Sequence, residues 1–111
     1  MSAFNRLRAE IICPSCADLV QITAQFKYGR VWQYDYAIGD KLRWDGNNIG
    51  KPHWKHVVVD AVAETPCPKC GFDHEWNLYV HVENNHLAKL ENATGEHDFV
   101  RQEKTYIVLR E

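Results

Sequence analysis

Hydrophobic and polar residues alternate with a period of two along much of this chain, which is the pattern of β-strands with one buried face. The clearest alternation runs over 19–26, and a mostly apolar run at 56–64 indicates a buried strand. The pattern predicts strands over 19–26, 32–38, 41–44, 56–64, 76–83, 86–91 and 105–109. Helical periodicity is poor, so we expect a mainly β fold built from antiparallel sheet.

Two segments between these strands carry turn-forming residues. The pair Asn84-Asn85 predicts a tight turn, because asparagine tolerates a positive φ. The segment 45–52 is rich in Gly, Asn and Pro, which predicts a loop. Loops on rigid scaffolds often carry binding contacts, so the flanking Trp44 and Trp54 are candidate partner-binding residues.

All four cysteines lie in two Cys-Pro-x-Cys sequences, at 13–16 and at 67–70. Such a pair lets two thiolates converge on one ion from a tight turn, and two pairs complete a tetrahedral shell. Proline stiffens each turn, and Gly71 permits the backbone to bend after the second one. We therefore predict one structural zinc ion, with iron as the main rival because the same four thiolates suit both metals. The predicted ligands are Cys13, Cys16, Cys67 and Cys70.

These two motifs and their adjoining strands resemble the zinc ribbon, and equally the rubredoxin-type knuckle. The resemblance implies a structural metal site and leaves the function open, since such motifs occur in proteins of very different function. The spacer between the motifs, 17–66, has 50 residues and is longer than in compact ribbons. We expect a single domain over residues 1–111, ribbon-like, with a long β insertion between the two knuckles.

Enzymatic readings of the same residues have less support. A thioredoxin-like redox motif needs a helix directly after the cysteine pair, whereas period-two alternation follows the first pair here. The six histidines match neither the metalloprotease nor the deaminase signature in order and context. We therefore expect a protein that is not an enzyme.

Charge divides the chain into two regions. The segment 27–56 has six Lys or Arg residues against three Asp, while 71–100 has six acidic residues against one lysine. We expect a non-catalytic, zinc-stabilised module that binds another protein, in the form of an inhibitor or immunity protein covering a basic site. Its acidic contacts would be Glu83, Glu91 and Glu96. The alternative is a nucleic-acid-binding zinc ribbon that uses the basic, aromatic segment 27–56. Ordinary solvated surface would explain both charge patterns.

No apolar run approaches the roughly 18 residues that a membrane helix needs, so no membrane association is expected. The first ten residues are mixed and charged, without the apolar stretch of a secretory signal. We therefore expect a cytoplasmic location, where paired cysteines are more often metal ligands than disulfides.

Overall fold

The computed structural model describes residues 4–44, 48–72, 76–97, 99 and 105–111, and the fold is mainly β, as predicted. The strands are β1 (Asn5–Ile12), β2 (Leu19–Phe26), β3 (Gly29–Arg30), β4 (Asp35–Ala37), β5 (Asn48–Ile49), β6 (His56–Ala63), β7 (Asn77–Glu83), β8 (His86–Asn92) and β9 (Tyr106–Arg110).

Seven of these strands form one curled sheet in the order β4-β1-β2-β6-β7-β8, with β9 also paired to β6. Every pairing in it is antiparallel except that of β1 with β4. Strand β7 pairs with one edge of β6. On the other edge, β9 pairs near the start of β6 and β2 pairs near its end. The short strands β3 and β5 pair separately.

The segment after β4 connects the two ends of this sheet. Gly39 donates its amide to the carbonyl of Leu87 on β8 at 2.7 Å, and Leu87 donates to Asp40 at 2.9 Å. Leu42 then donates to the carbonyl of Asn85 at 3.0 Å. The sheet therefore curls around its core, and the backbone groups at its two ends are partly paired with each other.

The core lies inside this curl and is supplied by the apolar face of each long strand. The fully buried side chains include Leu7, Val57, Val59, Leu78 and Val80. A smaller cluster of Val58, Tyr79 and Phe99 packs on the outer face of β6 and β7. Both faces are thus covered around Val58 and Tyr79, which explains the run of three buried valines at 57–59 of β6.

Most of the predicted strands are confirmed. The prediction of 19–26 matches β2 at both ends, and those of 56–64, 76–83, 86–91 and 105–109 each match an observed strand within one residue per end. The predicted turn is also confirmed, with φ values of 49° at Asn84 and 68° at Asn85.

The predictions between β2 and β6 are partly wrong. Only Asp35–Ala37 of the segment 32–38 is a strand, because side-chain hydrogen bonds fix the preceding backbone in an irregular path. The predicted strand 41–44 is reduced to a single bridge between Lys41 and His86. Within the predicted loop 45–52, residues 48–49 form β5, and 45–47 lie outside the described residues.

Candidate metal centre

The two knuckles lie at the same end of the sheet. The first connects β1 to β2 and the second lies between β6 and β7, and both pairs of strands are antiparallel. Because β2 pairs antiparallel with β6, the end of β1 and the end of β6 point the same way. Strand pairing alone therefore brings together two motifs that are far apart in sequence.

The two knuckles have the same backbone hydrogen bonds. In the first, Ala17 donates its amide to the carbonyl of Cys13 at 2.9 Å, and Cys13 donates to Asp18 at 3.0 Å. In the second, Gly71 donates its amide to the carbonyl of Cys67 at 2.9 Å, as Ala17 does to Cys13. The Cys67 amide makes the bond equivalent to that of the Cys13 amide, at 2.8 Å. Each turn thus points its two thiols in the same direction relative to its strands.

The four sulfur atoms have the spacing of a tetrahedral metal site. The Sγ atoms of Cys13 and Cys70 are 3.7 Å apart, those of Cys16 and Cys67 are 3.9 Å apart, and all four lie within 4.8 Å of one another. Metal–sulfur bonds of about 2.3 Å in a tetrahedron place the sulfurs about 3.8 Å apart, whereas a disulfide needs about 2.05 Å. The four predicted ligands are positioned to bind one metal ion.

Without a cation, the thiols of Cys16 and Cys67 are unequal acids. Burial alone would raise the pKa of Cys67, but amide donation from Cys70 and Lys69 outweighs it and lowers this pKa to about 7. A backbone hydrogen bond near Asp18 lowers the pKa of Cys16, yet burial and the neighbouring thiols together raise it to about 12. Four thiolates therefore require a bound cation to replace their protons, which couples metal binding to proton release.

The knuckles differ at the residue after the second cysteine, and this difference has a predicted cost. Ala17 has a φ of 62° where Gly71 has 76°, and this left-handed region costs an L-residue about 1–2 kcal/mol. We expect Ala17→Gly to stabilise the protein by about 0.5–1 kcal/mol, after the loss from glycine's greater freedom when unfolded. Chemical denaturation of the metal-loaded protein measures this.

Gly71→Ala is the matched control for that substitution. A Cβ at Gly71 meets no atom within 4 Å, so any effect there comes from the backbone alone. We expect destabilisation of about 1 kcal/mol. Changes of the same sign at the two positions would contradict a shared backbone requirement.

The predicted partner-binding tryptophans are half-buried and packed against the core. Trp44 meets the ring of Tyr28 edge-on at 5.5 Å, and its indole N–H donates to the side-chain oxygen of Asn85. Trp54 lies 5.7 Å from the ring of Tyr106, which itself contacts Tyr28. These contacts give both tryptophans a structural role at the edge of the core.

The predicted acidic contacts fall into two groups. Glu83 and Glu96 are exposed. Glu91 instead accepts hydrogen bonds from His81 at 2.6 Å and from Lys89 at 3.3 Å. Burial opposes ionisation of Glu91, but these two donors outweigh it and lower its pKa. Two of the three carboxylates therefore remain available on the surface.

A buried asparagine that sequence reasoning missed organises the segment after β2. Asn5 is fully buried, and its side-chain amide donates to the carbonyls of Tyr28 and Arg30 at 3.2 and 3.0 Å. Its side-chain oxygen accepts from the amides of Trp32 and Tyr34, both at 3.2 Å. One side chain thus fixes the backbone of 28–34, a function that asparagine's identity in the sequence does not reveal.

Fold and site together define a mainly β protein with four cysteines positioned to bind a metal ion. No family model, no curated protein and no solved structure matches this chain. Among the described residues, no helix is both long enough and apolar enough to cross a membrane.

Proposed function

We propose that this protein is a non-catalytic binding module, stabilised by zinc, that recognises another protein through the surface formed by Trp32, Tyr34 and Arg43. We call these three residues the aromatic-basic surface. The observation that carries the proposal is the exposure of Trp32, whose surface is 67% accessible although its backbone is fixed by buried Asn5. An exposed aromatic residue whose backbone is already fixed loses little backbone entropy on binding.

Tyr34 and Arg43, the other two residues of this surface, have the chemistry of interface hot spots. The guanidinium carbon of Arg43 lies 4.7 Å from the ring centroid of Tyr34. The Arg43 amide also donates to the hydroxyl of Tyr36 at 3.1 Å, which fixes the arginine backbone. Trp, Tyr and Arg are the residue types that dominate binding energy in protein interfaces. The positive charge favours an acidic partner surface.

The zinc part of the proposal rests on the sulfur geometry. Four thiolates in a tetrahedron suit zinc or iron, and a zinc-ribbon-type knuckle is the simplest class that fits both turns. The bound ion would act structurally, because cysteine fills all four positions and leaves none for a substrate. The centre and the aromatic-basic surface would thus have separate roles.

An inhibitor or immunity protein is an alternative form of a protein-binding module, and it would use a different surface and a partner of opposite charge. In that form Glu83, Glu91 and Glu96 would cover a basic site on the partner. Exposed Glu83 and Glu96 support it, while the hydrogen bonds of Glu91 within the protein weaken it. The aromatic-basic surface has the stronger support because it combines exposure with fixed geometry.

Truncating Trp32 is expected to weaken partner binding without loss of stability. Trp32→Ala should reduce affinity about 30-fold, the equivalent of the 2 kcal/mol that marks a hot spot. Affinity capture from a native lysate, with quantitative mass spectrometry of the retained proteins, provides the measurement. The expected result is one stoichiometric protein that the wild type retains and Trp32→Ala loses.

Leu19→Ala is the matched control, because Leu19 is also an exposed apolar residue and lies on β2 near the first knuckle. It should retain the same protein as the wild type. Equal retention by the wild type and Trp32→Ala, or equal loss with both variants, would contradict the proposed surface.

Nucleic-acid binding is a second candidate, favoured by cations placed over aromatic rings. Besides Arg43 over Tyr34, the ammonium of Lys51 lies 6.0 Å from the ring of Trp54. Single-stranded nucleic acids bind to such combinations of positive charge and stacking surface. Titration with a labelled oligonucleotide tests this candidate, since true binding would weaken steeply as salt increases.

A further inference from the structure

A chain of three hydrogen-bonded side chains crosses the outer face of β6, β7 and β8. His56 Nε2 lies 3.0 Å from His81 Nδ1, and His81 Nε2 lies 2.6 Å from a carboxylate oxygen of Glu91. His81 is buried, with 9% of its surface exposed, while His56 is half-buried at the side open to solvent. The cysteine centre uses none of these three residues.

Glu91 determines which nitrogen of His81 carries the proton. The low pKa of Glu91 keeps it ionised, because donation by His81 and Lys89 outweighs the effect of burial. An ionised carboxylate only accepts hydrogen bonds, so His81 donates from Nε2. In the neutral ring the lone pair of Nδ1 is then directed toward His56.

We propose that His81 Nδ1 and His56 Nε2 form a second metal site, which binds a divalent transition-metal ion such as Zn²⁺. Zinc–nitrogen bonds of 2.0–2.1 Å place two tetrahedral ligands about 3.3 Å apart. The observed distance of 3.0 Å is a few tenths of an ångström shorter, and each ring would turn so that both lone pairs point at the ion. On binding, His56 releases its Nε2 proton to solvent and takes one at Nδ1, so the ring stays neutral.

The carboxylate behind His81 completes the arrangement usual for a metal-binding histidine. Such histidines almost always donate their second ring N–H to a carboxylate, carbonyl or water, which fixes the tautomer and raises ligand basicity. Glu91 already occupies that position. Glu83 lies opposite His56 in the strand register and would be a further carboxylate on the same face. Water would complete the shell.

The charges around His56 keep its ring available to a metal. Burial lowers its pKa, and Arg110 on β9, Lys89 on β8 and His81 act in the same direction, against the opposing effect of Glu83. The ring is therefore neutral at neutral pH, as a ligand must be. Glu83 and Glu91 supply the negative charge that offsets the two cations.

Zinc titration of the protein as isolated, with the four-cysteine centre loaded and loosely held metal removed by dialysis, tests this site. Isothermal titration calorimetry should show one further equivalent of Zn²⁺ bound. His56→Gln should weaken that equivalent at least 10-fold, and Glu91→Gln should weaken it 10–100-fold, the usual effect of losing such a carboxylate. His56 is half-buried, so its variant is expected to stay folded.

His86→Gln is the matched control, because His86 is exposed on the same hairpin and its Nδ1 is bonded to the carbonyl of Asn84. It should leave the second equivalent unchanged. Imidazole ¹⁵N NMR gives an independent readout, since zinc should shift His81 Nδ1 and not His86. A stoichiometry without a further equivalent, or equal weakening by His86→Gln and His56→Gln, would overturn the proposal.

Discussion

Replacing Cys13 with serine, or removing the metal with a chelator, is expected to abolish cooperative folding at ordinary temperatures. Structural zinc in small domains has apparent binding free energies of about 10–16 kcal/mol, much of it coupled to folding. Whole domains of this size are stable by only about 5–15 kcal/mol. A metal ion bound by these cysteines would therefore contribute a free energy comparable to the total.

Cys13 is the most informative ligand to replace, because its side chain is fully buried at the junction of two hairpins. A serine hydroxyl is a poor ligand for a soft thiolate site, and it would leave three thiols to compete for protons. The first knuckle would then lose its connection to Cys70, 57 residues away in sequence. The remaining strand pairs would have to hold this end of the sheet alone.

Circular dichroism during thermal unfolding measures the loss, and elemental analysis of the wild type should find one zinc ion per chain. A red sample would indicate iron in its place. Ser15→Ala is the control: Ser15 is exposed in the same turn, and its backbone amide still donates to Cys13 Sγ. A Cys13→Ser protein that melts within a few degrees of Ser15→Ala would show that the metal is an accessory.

The long strands could be predicted because each buries one alternating face. The same alternation runs through β1, where Leu7, Ala9 and Ile11 face the core, so this strand was also available from the sequence. The two-residue strands β3 and β5 could not be predicted from the sequence, because two residues are too few to show a period. Alternation failed at Trp32 because a side chain, not a neighbouring strand, determines its backbone.

The two candidate metal sites differ in how much of each the sequence reveals. Motif spacing alone predicted the four cysteines, because each turn brings its own pair together. His56, His81 and Glu91 meet only through the registers of β6 with β7 and of β7 with β8. A shift of one residue in either register would turn one of these side chains to the opposite face. Such a site follows from tertiary structure and has no sequence motif.

Asn5→Ala is expected to destabilise the protein by about 3–5 kcal/mol, the second largest effect among these variants. The substitution removes four hydrogen bonds at once. A buried group left without its partner costs about 1–3 kcal/mol, and Asn5 is fully buried. Thermal or chemical denaturation measures the change. Asn77→Ala, at an exposed position on β7, is the control and should change stability by less than about 0.5 kcal/mol.

Asn5→Ala also tests whether partner binding requires the fixed backbone at Trp32 or only the Trp32 side chain. An Asn5→Ala protein that folds with metal bound keeps Trp32 but lacks the hydrogen bonds that fix the backbone of 28–34. Its affinity for the partner should therefore fall nearly as far as that of Trp32→Ala. The double variant should then be little worse than either single one, because both remove the same preorganised contact. Additive losses would show that Asn5 acts on stability alone. Full affinity in a folded Asn5→Ala protein would show that recognition does not depend on the fixed geometry of this segment.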